Sequence, residues 1–175
     1  NATLTLAAPG ASGSLSANKA IVIDNTAPTV ALSSTSNNLT NTAIPVTVTF
    51  SESVTGFVVG DISVTNGTAG SFSGSGSSYS FTVTPSGQGA VSIGLLAGIA
   101  QDAAGNTSSA SNTLSRTYDS IVPTVAVTTA VASPTLQAPI PFTATFSESV
   151  TGMSLADVTV TNGTIGNFIA VSSTV

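Results

Sequence analysis

Residues 44–72 read IPVTVTFSESVTGFVVGDISVTNGTAGSF, and residues 140–168 read IPFTATFSESVTGMSLADVTVTNGTIGNF. Nineteen of these 29 positions are identical. Repetition of this strength marks a tandem array before any element is assigned. The repeat extends towards the N-terminus: IDNTAPTVAL at 23–32 returns as YDSIVPTVAV at 118–127. The first pair of blocks is offset by 96 residues and the second by 95, so one residue is inserted between them, most simply in a loop near 37–41. The unit is therefore about 95 residues long, an ordinary size for one domain. Residues 24–118 form one complete unit, and residues 119–175 begin a second, incomplete one. Residues 1–23 read as the end of a preceding repeat, because SANKAIVID aligns with SNTLSRTYD. A chain out of phase at both ends is expected to be a window on a longer array.

Inside the unit the hydrophobic period is two. Ile44, Val46, Val48 and Phe50 alternate with Pro45, Thr47 and Thr49. Tyr79, Phe81 and Val83 alternate with Ser80, Thr82 and Thr84, and Val91, Ile93 and Leu95 with Ser92 and Gly94. Such alternation predicts half-buried strands. Turn signals separate them: Asn66-Gly67, the Gly/Ser run at 73–76, Pro85-Ser86-Gly87 and Gly105-Asn106. No capped helical stretch occurs. Seven strands fit, near 28–34, 43–50, 61–66, 69–74, 78–84, 89–96 and 110–118. That pattern predicts an all-β chain of tandem immunoglobulin-like seven-stranded β-sandwiches.

Composition excludes most chemistry. Of 175 residues, 56 are Ser or Thr, two are Lys or Arg, seven are Asp or Glu, and His, Cys and Trp are absent. Without His or Cys there is no Ser-His-Asp triad, no thiol nucleophile and no zinc or iron–sulfur site, so no enzyme is expected. With one Lys and one Arg there is no basic patch for nucleic acid. The mean hydropathy of +0.46 argues against disorder. The longest apolar stretch, residues 89–100, is too short to span a bilayer. The lack of Cys leaves the redox compartment open.

The block TFSESVTGFVVGDISVTNGTAG, the loop QDAAGN and the linker IDNTAPTV together resemble the bacterial Ig-like repeats of very long cell-surface adhesins and biofilm-associated proteins. The resemblance covers residues 24–118 fully and 119–175 as far as they run. It implies an extracellular rod of repeats that holds a distal binding domain away from the cell, often with calcium at the joints. The expected partners are neighbouring repeats of the same chain.

The few acids are placed unevenly. In such a sandwich the chain enters strand one at the pole that also carries the loops after strands two and six. Asp24 lies in the leading linker, Glu52 in the loop after strand two, Asp61 at the end of that loop, and Asp102 in the loop after strand six, with Asn106 four residues on. All four acids of the complete unit map to one pole, and Arg116 is its only basic residue. Asp119, Glu148 and Asp157 repeat the first three positions in the second unit. Like charges gathered at one end repel unless a cation compensates. Ca²⁺ takes six to eight oxygens from carboxylates, amides and main chain. Asp24, Glu52, Asp102 and Asn106 are the expected ligands, with Asp61 in or behind them, and bound calcium would stiffen the joint. The competing structural reading is that loops keep the few charges and that each Asp bonds its own backbone.

Five Asn-x-Ser/Thr sequons, at Asn1, Asn38, Asn66, Asn106 and Asn162, are ordinary for a chain this rich in Asn, Ser and Thr. Lys19, the only lysine, lies outside the complete unit, so that unit cannot hold a Lys–Asn cross-link. The leading functional expectation is a non-enzymatic extracellular spacer with calcium-stiffened joints. The alternative is a self-assembling filament or sheath subunit, in which the incomplete repeat is completed by strands from another copy.

Overall fold

The computed structural model describes residues 8, 10–12, 14 and 22–171. The expected end of a preceding repeat at 1–23 falls largely outside them, as do Asn1 and Lys19. The chain divides into two compact units, the first ending at Ser120 and the second beginning at Ile121.

The first unit holds two packed sheets. β1 (Val30–Ser33), β3 (Ile44–Val54) and β5 (Gly67–Pro85) form one, in the order β1-β3-β5. β2 (Leu39–Thr40), β7 (Leu114–Tyr118), β6 (Gly89–Leu95) and β4 (Ile62–Thr65) form the other, in the order β2-β7-β6-β4. Every pairing is antiparallel except β2 with β7, which is parallel. Alternation sets the faces. On β3, Ile44, Val46, Val48 and Phe50 are buried and Pro45, Thr47, Thr49 and Ser51 are exposed. Pro45 has no N–H to give, and the β1 ladder begins beyond it at Thr47. Opposite β3 and β5, Val91, Ile93 and Leu95 of β6 and Leu114 of β7 close the core. Burying each such side chain contributes about 1.5–3 kcal/mol.

The observed elements depart from the expected strands in four places. β1 falls within the expected first strand at 28–34, but a further two-residue strand, β2, follows at Leu39–Thr40 in the other sheet, where none is expected. β3 runs past Phe50 to Val54 through a register shift between Thr49 and Val54, as a bulge requires. The fourth and fifth strands are one continuous extended element, β5, 19 residues long. It folds back on itself. The Ser73 and Ser80 hydroxyls lie 3.0 Å apart, and a Cβ on Gly74, whose φ is +120°, would sit 2.4 Å from the Ser78 carbonyl oxygen. Only glycine fits there. Finally, the last strand starts at Leu114, because the residues before it leave the regular ladder: Ser109 bonds the leading segment, and Ser111 meets Leu95 of β6 through its N–H and its hydroxyl. The Ser109 N–H donates to Pro28 O, and the Ser111 hydroxyl accepts from the Leu95 N–H.

An aromatic knot anchors the loop after β3. The Phe57 ring meets Phe50, Phe72 and Tyr79 edge to face at centroid distances of 5.6, 5.3 and 5.1 Å. The Tyr79 hydroxyl donates to Val54 O at 3.3 Å. Such edge-to-face pairs contribute beyond area burial.

In the second unit, β8 (Val125–Thr128) pairs antiparallel with β9 (Thr143–Phe146), as β1 pairs with β3. Local devices recur. The Thr29 N–H donates to Ser51 Oγ at 3.0 Å, and the Thr124 N–H donates to Ser147 Oγ at 2.9 Å. Asn66 and Asn162 share left-handed backbone at φ 59° and 60°. The counterparts of β6 and β7 are not among these residues, and Val125, Val127 and Phe142 remain exposed.

Candidate metal centre

Three loops converge on one point of the first unit. The leading linker brings Asp24, the irregular stretch of β3 between Thr49 and Val54 brings Glu52, and the loop after β6 brings Asp102. Their carboxylates each offer an oxygen within 4.8 Å of the others. The convergence has a structural cause. The Thr55 N–H donates to Gln101 O at 2.8 Å and the Gln101 N–H to Thr55 O at 3.0 Å, so the two loops are bridged as a short strand pair. Nothing in the sequence announces this bridge, because it lies outside any alternating run.

Asp102 is the fixed member. It is only 4% exposed. Its Oδ1 accepts from the main-chain N–H groups of Ala104 and Asn106, both at 2.8 Å, and its Oδ2 accepts from Asn106 Nδ2 at 2.8 Å. The Asn106 side chain and these main-chain donors hold its carboxyl below the usual range, against an opposing desolvation. Asn106 Nδ2 also donates to Asp24 O at 3.1 Å, which ties the linker to the loop. Asp24 Oδ1 accepts from the Thr26 N–H at 3.0 Å.

Glu52 is the strained member. It is half-buried, and no hydrogen bond from the described residues reaches its carboxylate. Burial pushes its pKa up, and the charges of Asp102 and Asp24 push it further in the same direction. A third negative charge is held where two already stand.

Asp61 is not part of this group. It ends the 3-10 turn Val59–Asp61, and its Oδ2 accepts from the Val58 N–H at 2.8 Å. Its carboxylate is committed to the local turn. Asp157 does the same in the second unit, accepting from the Ser154 N–H at 2.8 Å and the Ser154 hydroxyl at 2.9 Å. Asp119 follows β7, and its N–H donates to Thr40 O at 2.9 Å. Glu148 is half-buried, and its Oε1 has no hydrogen-bond partner among the described residues.

The donor set is all hard oxygen. Two oxygens bound to one Ca²⁺ at 2.3–2.6 Å lie at most about 5 Å apart, and these three carboxylates meet that limit. The main-chain oxygen of Asp24 accepts from the same Asn106 amide that holds Asp102. Asn106 presents nitrogen, not oxygen, to Asp102, so it would serve an ion only after rotating its amide.

The bacterial Ig-like domain family matches residues 24–118 and again residues 119–175. The chain belongs to that family. No curated protein and no solved structure matched it. Bacterial Ig-like domains are in general non-enzymatic and commonly extracellular. No helix among the described residues of this Ig-like chain is long and apolar enough to cross a membrane.

Proposed function

We propose that the chain is a spacer segment of a bacterial surface protein, a row of Ig-like repeats whose joints are stiffened by calcium. The observation that supports this reading most directly is the meeting of Asp24, Glu52 and Asp102. Asp24 belongs to the linker, whereas Glu52 and Asp102 belong to the body of the unit. An ion shared by all three would fix the direction in which the linker leaves. Without it, Asp24 is tied to the body of the unit by the Asn106 contact to its main-chain oxygen, and the linker further on by the Ser109 N–H to Pro28 O, against the repulsion among the carboxylates. The raised pKa of Glu52 has the same sense: a carboxylate disfavoured as an anion is relieved by a proton or by a cation. Asp119 occupies the matching linker position for the next joint. The neutral outer strand faces suit a part that spaces rather than reacts. Adhesion itself would reside in other parts of the same protein.

The experiment is a thermal melt of the whole 175-residue chain in Ca²⁺ and in excess EDTA. At a concentration 100 times the dissociation constant, one site adds about 2.7 kcal/mol. For a unit of this size that is a rise of several degrees. A calcium-dependent rise that vanishes in Glu52→Gln supports the reading. Superimposable melts would mean that these acids are loop residues only.

A further inference from the structure

Residues 64–68 read VTNGT, and residues 160–164 read VTNGT again. These are the only two Asn-Gly pairs of the sequence. Both Asn residues hold left-handed backbone, at φ 59° and 60°. With sequence and backbone alike, any difference between the two pairs comes from what surrounds them.

An Asn-Gly pair can react with itself, because glycine leaves its nitrogen unhindered. The glycine nitrogen attacks Cγ of the Asn side chain. A C–N bond forms, the Cγ–Nδ2 bond breaks, and Nδ2 leaves as ammonia with the proton of the glycine N–H. Water then opens the five-membered succinimide at either carbonyl. One opening gives Asp. The other gives isoaspartate, whose main chain runs through the former side chain and is one atom longer. One water is consumed, one ammonia is released, and no oxidant or reductant takes part. The attack needs Cγ to reach the glycine nitrogen and Nδ2 to be free to depart.

At Asn66 both needs are opposed. Nδ2 donates to Gly87 O at 2.8 Å, and Ala90 O and Gln88 O lie 3.3 and 3.4 Å from it. A Cβ on Gly87 would stand 3.6 Å from Asn66 Oδ1, so the same loop abuts the other end of the amide. The Ser86 N–H donates to Asn66 O at 3.1 Å and ties the loop to the main chain as well. Gly67 is walled in: a Cβ there would sit 2.9 Å from Val83 Cγ1 and 3.0 Å from Thr84 O. A lengthened main chain has no room in that place. Asn162 stands in the open. It is exposed, and no hydrogen bond from the described residues reaches its amide. A Cβ on Gly163 would meet only Val160 Cγ1, at 3.3 Å.

We propose that Asn162-Gly163 is a site of spontaneous conversion to Asp and isoaspartate, and that residues 86–90 are the guard that spares Asn66-Gly67. The proposal is independent of the spacer reading. Conversion at Asn162 adds a carboxylate to a chain that has seven. Conversion at Asn66 waits for the loop to lift, so its rate is that of the open pair scaled by the fraction of time the loop is open.

The test is incubation of the full chain in mildly alkaline buffer, followed by trypsin and tandem mass spectrometry. Lys19 and Arg116 are the only tryptic sites, so Asn66 and Asn162 fall in different fragments. A synthetic peptide of residues 160–166 gives the rate of the open pair. Asn162 should convert close to the peptide's rate, and Asn66 roughly tenfold more slowly or beyond. In urea that unfolds the chain the two should convert alike, because their immediate sequence is the same. Equal rates in the folded chain overturn the guard. A rate at Asn162 far below that of the peptide overturns the reactive site. A difference that persists in urea would place its cause outside the fold and overturn the proposal as well.

Discussion

Asn106 holds both oxygens of Asp102: its main-chain N–H donates to Oδ1 and its side-chain amide to Oδ2, each at 2.8 Å. One residue thus closes the loop that carries the carboxylate and neutralises part of its charge. This separates two roles of Asp102. Asp102→Asn keeps an acceptor for the N–H groups of Ala104 and Asn106 but removes the charge. Asp102→Ala removes both. In EDTA the Ala variant should melt well below the parent and the Asn variant between the two, because its amide nitrogen would face the Asn106 Nδ2 donor and the stabilising charge is gone, whereas both should lose any calcium-dependent rise. Melting curves of the three chains with and without calcium check this.

The acid response should have two limbs. Glu52 is raised, so its ionisation opposes folding. In EDTA, stability should rise as pH falls from neutrality through its raised value towards the ordinary Glu value of about 4.3. Asp102 is lowered, so it contributes stability above the ordinary Asp value of about 3.9, and that contribution is lost as pH falls through its depressed value. The melting midpoint should therefore peak in mild acid. Glu52→Gln should flatten the limb between neutrality and the peak and leave the fall below it. A pH series of melts for both chains reads this directly.

Asn112 completes the free edge of β1 with its side chain. Asn112→Ala leaves the N–H and C=O of Leu32, a residue only 5% exposed, without that partner. The expected loss is about 1–3 kcal/mol in urea unfolding. Asn112→Asp should not restore it, because a carboxylate can accept from the N–H but would repel the Leu32 carbonyl.

Phe57 lies at the centre of the aromatic knot and is 5% exposed. Phe57→Ala should cost about 3–5 kcal/mol. Because the same loop ends near the carboxylates, the variant should also weaken calcium binding by titration calorimetry, without touching a ligand.

Asn66 stands at φ 59°, and its Nδ2 donates to Gly87 O at 2.8 Å. Asn66→Gly keeps the backbone and loses the bond. Asn66→Ala loses both, and the left-handed conformation adds about 1–2 kcal/mol. The order of urea midpoints should be Asn66, then Gly, then Ala.

Much of this was legible in the residues. Val46, Val48, Phe81 and Ile93 sit inside because strict alternation leaves a strand no other choice of face. Asp24, Glu52 and Asp102 could be brought together on paper because strand order fixes which loops share a pole. Asp61 shares the loop but not the point, since a local 3-10 turn captures its carboxylate, and a turn of that kind leaves no periodic trace. The short strand β2 was also hidden. It depends on Arg116, 80 residues away from Ser36, and no local pattern records so distant a bond. The Thr55–Gln101 bridge was invisible for the same reason.

The outward faces described above carry threonine, serine and proline where most proteins place lysine and glutamate. Salt screens charges over about 8 Å at physiological strength, and along these walls there is next to nothing to screen. Brackish and fresh water would look alike to them. Ionic composition would be felt only at the poles, where the carboxylates stand. A row of such units would therefore answer a change of medium in its bending alone, with its solubility and girth left as they were.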